Sequence, residues 1–297
     1  MEATLAPSGP WTAFTRTLAM IRFSHSVFAL PFALFSLVVA CEGWPRPALL
    51  GWVVLAMVAA RSAAMGVNRL ADRRFDAANE RTAGRHLVTG ALSVRYVLLF
   101  TLACIGLFVF AAANINELAL WLSPVVLVVL LGYSFLKRFT SWAHLGVGLA
   151  LGLAPLGAWV AGRGELNEPW WPLVLGAGVT FWVAGFDVIY ACQDVEADRR
   201  LGLHSIPARW GVPLALRIAA LFHVLCLCLF AAAGIGLGTF GFYMVSLYLA
   251  ALLLGRAHLL ARRQGIGPAN AALMPLNGLV AVLLGGAGIA DVLLFVA

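Results

Sequence analysis

A chain of 297 residues that is 62% hydrophobic and only 11% charged has less than half the charge of an ordinary soluble domain, where about a quarter of residues are charged. So much apolar surface cannot be hidden in one water-facing core, and a mean hydropathy of +0.94 makes a lipid bilayer the solvent for most of it. The net charge of +7 invites a nucleic-acid reading, which the distribution of the basic residues removes.

From the N-terminus, residues 1–10 form a short polar lead with no cleavable signal evident. Apolar runs of spanning length follow at 23–41, 48–67, 94–113, 118–136, 142–161, 172–191, 211–233, 238–256 and 274–296. These predict an all-α polytopic membrane protein of about nine transmembrane helices, forming a single domain over 1–297. Pro31, Pro155 and Pro275 predict kinks, and the glycine-rich 142–161 run predicts an irregular span. Of the five cysteines, all but Cys41 lie within apolar runs and none forms a CxxC pair, so they read as small apolar fillers.

The connections then set the orientation. Of the twenty Lys and Arg residues, all but Arg46 and Arg163 fall on the side of the N-terminus, while Glu42, Glu117, Glu165 and Glu168 lie opposite. By the positive-inside rule the N-terminus is cytoplasmic. Topology therefore accounts for the basic excess, and neither a nucleic acid nor an obligate protein partner is required.

Nearly all the polar chemistry sits in two long connections on that same side. In the first, Asn68, Asp72 and Asp76 recur every four residues and line one helical face. In the second, Asp187, Asp194 and Asp198 again share a face, and the same interval separates Asp72 from Asp194 and Asp76 from Asp198. A weak internal repeat is a fair reading of that offset. One such cluster would read as solvated loop residues paired with Arg73 or Arg74. Two of them, each with a polar residue (Asn68, Asp187) inside the adjoining apolar run, point to an interior cavity, because those groups are costly against lipid.

Converging carboxylates repel unless cations join them, and hard oxygen ligands suit a Mg²⁺-bridged diphosphate. Arg81, Arg85, Lys137, Arg138, Arg199 and Arg200 are the cation supply. Lys137 stands out because Tyr133 lies one turn before it on the same face. Arg22 and Arg61, near span ends, can reach the same cavity, although Arg22 equally suits a snorkelling anchor. Phe28, Phe32 and Phe35 fall on one side of the first span, where an aromatic wall for a long isoprenoid stands against plain lipid or helix packing. His25 and His144 are ambiguous, and no metal site is assigned to histidine.

At these residues the chain resembles the UbiA superfamily of intramembrane aromatic prenyltransferases. The likeness runs through Asn68-x₃-Asp72-x₃-Asp76, Arg81-Thr82-x₂-Arg85, Tyr133-x₃-Lys137-Arg138 and Asp187-x₂-Tyr190-Ala191-x₂-Asp194-x₃-Asp198. It continues through Gly202-x-His204-Ser205 to Gly211. The Tyr-Ala-Cys-Gln-Asp form resembles the 4-hydroxybenzoate polyprenyltransferase-like branch. The resemblance implies nine helices around a central cavity, capped by the two motif loops at the cytoplasmic face of a bacterial-type inner membrane. It implies Mg²⁺ on Asp72, Asp76, Asp194 and Asp198, with Asn68 and Asp187 supporting the ions or diphosphate. Arg81, Lys137 and Arg138 would hold diphosphate oxygens, with Tyr190 on the substrate side and Arg22 or Arg61 at the acceptor's carboxylate. Many relatives carry Lys-Ser where this chain has His204-Ser205, which puts a phosphate role there in doubt.

The expected reaction is ionisation of a polyprenyl diphosphate and attack on the allylic cation by the ring carbon ortho to a phenol hydroxyl. The leading acceptor is 4-hydroxybenzoate, for ubiquinone-type quinones; a dihydroxynaphthoate, for menaquinone, is the alternative. A secondary transporter would place its charges near the bilayer midplane. A CDP-alcohol phosphotransferase would interleave its aspartates with Gly and Ala-Arg in one run, and a soluble polyprenyl synthase fails on hydropathy.

Overall fold

The computed structural model describes residues 10–21 and 28–296, and all regular structure there is helical. In chain order the helices are α1 (Pro10–Met20), α2 (Leu30–Ala40), α3 (Pro47–Ala77), α4 (Val94–Ile115), α5 (Glu117–Leu136) and α6 (Ala143–Arg163). They continue as α7 (Trp170–Ala191), α8 (Val195–Leu201), α9 (Ile206–Trp210), α10 (Val212–Leu237), α11 (Phe242–Arg263) and α12 (Ile266–Asp291), and α12 runs into a π-helical turn at Val292–Val296.

Eight of these are long and apolar enough to cross a membrane. Of the first apolar run, 23–41, residues 23–27 lie outside the described residues, and the remainder holds α2, whose 11 residues span only about 17 Å. It is instead the most enclosed helix: Phe32, Ala33, Phe35 and Leu37 are fully buried. It packs between α6 and α12. Its two phenylalanines, with Phe28 just before it, belong to an aromatic core, where Phe32 stacks on Phe230 and meets Trp182 edge-on, and Phe35 meets Trp171. Helix packing, the plain reading of Phe28, Phe32 and Phe35, is where the structure puts them.

The sequence pattern and the structure part company at α6. The glycine-rich 142–161 run forms one continuous helix, and its glycines serve packing. A Cβ on Gly148 would strike the carbonyl of Thr180, and one on Gly152 would strike that of Gly176. Small residues four apart on each helix let the α6 and α7 backbones approach closely, which lipid-embedded helices favour. Of the prolines expected to kink spans, Pro31 sits in the first turn of α2, where its missing N–H costs nothing. Pro155 and Pro275 lie inside α6 and α12.

Two features define the functional end. Helix α3 has 31 residues, or about 46 Å, against a hydrocarbon core of about 30 Å, so its last turns rise beyond the bilayer. Helices α3, α4, α5 and α6, with Ala29 and Leu30, enclose an apolar cavity of about 630 Å³, while α7, α10, α11, α12 and α2 pack around the aromatic core.

Candidate active site

The site is assembled from the C-terminal turns of α3 and α7, the end of α5, and the two connections beyond them. On α3 the four-residue spacing puts Asn68, Asp72 and Asp76 along one face, and Arg61, two turns before Asn68, shares it. Asp72 is 2% exposed and Asp76 6%. Asp72 Oδ2 accepts from Asn68 Nδ2 at 3.1 Å and from Lys137 Nζ at 2.6 Å. Its other oxygen, Oδ1, is buried without a hydrogen-bond partner in the protein. Asp76 receives Arg85 at 2.6 Å on both oxygens, and its backbone carbonyl takes the Thr82 hydroxyl at 3.0 Å. The connection after α3 thus folds back on the helix that precedes it.

That connection also crosses to the second motif. Arg81 donates to both oxygens of Asp194, Nε at 2.8 Å and Nη2 at 2.6 Å. Its third bond goes to the Tyr190 hydroxyl at 3.0 Å, and it lies over the Tyr190 ring. Burial alone would lower the Arg81 pKa, but its bonds to Asp194 hold it above the ordinary value. Asn79 Nδ2 adds a bond to Asp194 at 2.9 Å. Asp198, in the first turn of α8, accepts from Ser205 at 2.8 Å, and Ser205 also caps α9. Burial raises the Asp198 carboxyl above its ordinary value, partly offset by the Ser205 bond and by the charge of Lys137. Lys137 therefore acts on both arrays, touching Asp72 directly and Asp198 through space. Its own backbone carbonyl receives the His204 amide at 2.7 Å, and Arg200 ties α8 to the Ala78 carbonyl at 3.2 Å.

Deeper in the membrane, Asp187 Oδ2 is bonded to His144 Nδ1 at 2.7 Å. His144 Nε2 accepts from the Ile206 amide at 3.3 Å, which leaves the ring proton on Nδ1 for Asp187. His144 is 4% exposed and so links α6, α7 and the start of α9 through one ring. Arg61 and Tyr133 line the apolar cavity. Arg138 donates to the Ala71 carbonyl at 2.8 Å and lies over Phe75 and Phe135, so its guanidinium braces α3. Arg22 and His25 fall outside the described residues. Cys192 bonds the Val188 carbonyl, and burial pushes its thiol up to about 12, as suits a filler.

Asn68, Asp72, Asp76, Arg81, Lys137, Asp187, Tyr190, Asp194 and Asp198 thus meet at one end of the bundle, and Arg61, on the same face of α3 as the first array, lines the apolar cavity. Among the described residues no three His, Cys, Asp or Glu side chains form a metal cluster. Asp72, Asp76 and Asp194 each face a basic side chain instead. Lys137, Arg85 and Arg81 supply the charge opposite Asp72, Asp76 and Asp194. Asn79 gave no signal in the sequence, and the contribution of His144 depends on a partner 43 positions away.

Residues 29–279 match the UbiA prenyltransferase family. A 4-hydroxybenzoate solanesyltransferase from Synechocystis is 32% identical over 75% of this chain and 77% of its own length. A 4-hydroxybenzoate octaprenyltransferase from Albidiferax ferrireducens is 34% identical over 74% and 77%. Among solved structures, the apo form of a UbiA homolog from Aeropyrum pernix K1 superposes with a TM-score of 0.82 at 34% identity, covering 90% of this chain and 98% of that one. An Archaeoglobus fulgidus UbiA homolog bound to DMAPP and Mg²⁺ shares the fold at a TM-score of 0.69 and 20% identity, over 94% and 100%. With its paired aspartate arrays meeting at the end of a lipid-embedded helical bundle, the chain belongs to the UbiA prenyltransferase family and is a multi-pass aromatic prenyltransferase.

Proposed function

We propose that this protein transfers a polyprenyl group from its diphosphate to the ring of 4-hydroxybenzoate, the acceptor for which its Synechocystis and Albidiferax relatives are named. The observation that carries this reading is the apolar cavity between α3, α4, α5 and α6, lined by Arg61 on the face of α3 that also bears Asn68, Asp72 and Asp76. The arrays suit a diphosphate, the cavity an isoprenoid, and the guanidinium a carboxylate.

A divalent cation fits the donor set, since Asp72 Oδ1 is a buried acceptor with no protein partner and the motif oxygens are hard ligands. Asp72, Asp76, Asp194 and Asp198 would hold Mg²⁺, supported by Asn68, and the ion would supply Lewis-acid neutralisation of the diphosphate. Arg81, Arg85 and Lys137 then exchange carboxylate partners for diphosphate oxygens. The allylic C–O bond breaks with its electron pair leaving on diphosphate, and the apolar wall keeps water from the cation. Arg61 orients the acceptor, whose ring carbon ortho to the hydroxyl forms the new bond. The ring proton leaves to a nearby carboxylate or diphosphate oxygen.

The basic side of the molecule, which carries both motif loops, is the cytoplasmic side in this reading, and residues 1–297 act as one domain. Membranes containing the protein, given labelled polyprenyl diphosphate and each acceptor, should label 4-hydroxybenzoate. Label on a dihydroxynaphthoate alone would overturn the assignment. EDTA should stop transfer and added Mg²⁺ restore it.

A further inference from the structure

At the end of the bundle opposite the motif loops lies a second cavity, of about 780 Å³. It is built where α2, α6 and α10 end and α7 begins. Trp159, Trp170 and Trp171 line it, together with Glu42, Arg163, Glu165 and Glu168. Arg163 pairs with Glu42 at 2.8 Å and lies over the Trp159 ring, which leaves Glu165 and Glu168 as surplus negative charge. Trp159 is nine-tenths buried, yet its indole N–H has no acceptor in the protein. Buried donors are rarely left so. The prenyl-transfer reading uses none of these groups.

Tryptophan faces beside carboxylates recognise ammonium groups, while an indole N–H and a guanidinium take phosphate oxygens. Helix ends rich in Trp sit at the headgroup level of a bilayer, where both chemistries come on one molecule. Val39, Leu237 and Val292 give the cavity an apolar side for the first carbons of an acyl chain. We propose that this cavity binds the headgroup of an ethanolamine phospholipid from that leaflet, its ammonium against Glu165, Glu168 and Trp170 and its phosphate against Arg163 and the Trp159 N–H.

The test uses the intact protein in lipid nanodiscs, followed by native mass spectrometry after release into detergent. One phosphatidylethanolamine should be retained about tenfold over phosphatidylglycerol, the equivalent of one well-made charged contact. Glu165→Gln with Glu168→Gln should abolish the preference. Trp159→Phe, which keeps the ring and removes only the N–H, should lower retention about fivefold, as loss of one buried hydrogen bond does. Both variants should keep wild-type prenyl transfer in detergent, which checks that they fold. Equal retention of the two lipids by the wild type would overturn the proposal, as would unchanged retention in folded variants.

Discussion

Lys137 and Asp72 set the electrostatics of the site. A carboxylate buried to 2% exposure with one oxygen on an ammonium and the other without a partner is costly to the fold, and a cation at the free oxygen relieves that cost. Asp72→Ala, or Asp194→Ala, should abolish turnover while the protein remains folded in detergent; wild-type rates in either would contradict the role given to these arrays. His144 belongs to the same scale as a positioning residue. Its proton goes to Asp187 and its lone pair to Ile206, so one ring fixes a carboxylate of α7 and the start of α9. His144→Ala should lower kcat by about tenfold, the size of one lost buried hydrogen bond to a charged group, with KM for the prenyl donor little changed. His144→Asn, which keeps a donor toward Asp187, should recover part of that loss. A rise in donor KM with kcat unchanged would rule out this role. The faces bearing Asn68, Asp72 and Asp76, and the Tyr133–Lys137 pair, could be read from four-residue spacing. His144, Asn79 and Arg138's bracing of α3 could not, because each depends on which helices become neighbours.

Helices show a similar division between local pattern and tertiary need. Eight apolar runs became membrane-length helices because twenty apolar residues in lipid have few other ways to satisfy their backbone. The short α2 escaped that logic because protein covers it. Composition also cannot separate a glycine that loosens a helix from one that lets two helices touch, which is why the run at α6 reads as irregular. The clearest case is Asp291, fully buried near the end of the last apolar run. Helix α11 has no side-chain cap of its own, and Asp291 accepts the amides of Gly241, Phe242 and Tyr243 at 3.1, 2.8 and 3.1 Å. A carboxylate from α12 thus caps α11 across the helix–helix interface and meets the positive end of its dipole. Asp291→Ala strands three amides, and it should cost about 2–4 kcal/mol, visible as a lowered Tm in detergent. Asp291→Asn should cost less. A similar interface device joins α10 and α11, where His223 Nδ1 meets His258 Nε2 at 2.8 Å.

At the scale of the molecule, the helices that carry the polar cap also wall the apolar cavity. Arg61, which lines the cavity, shares a face of α3 with Asn68, Asp72 and Asp76, and Tyr133 on α5 lies one turn before Lys137, which caps that helix. In the proposed reaction, a donor whose diphosphate sits at the arrays would lay its tail between α3, α4, α5 and α6. The far end of that space is lined by Ala112, Ala119, Ser123 and Ala158, residues small enough to leave it open. Ala158→Phe fills that end without touching any group in the cap. A long tail would then leave several methylenes unburied, at about 0.8 kcal/mol for each. For two displaced methylenes kcat/KM with an octaprenyl donor should drop about tenfold. With geranyl diphosphate, whose tail stops short of the substitution, turnover should be near wild type, which also shows that the added ring has not unfolded the bundle. Equal losses with both donors would place the tail elsewhere, and the continuity of cap and cavity along α3 would then have no part in how the substrate is held.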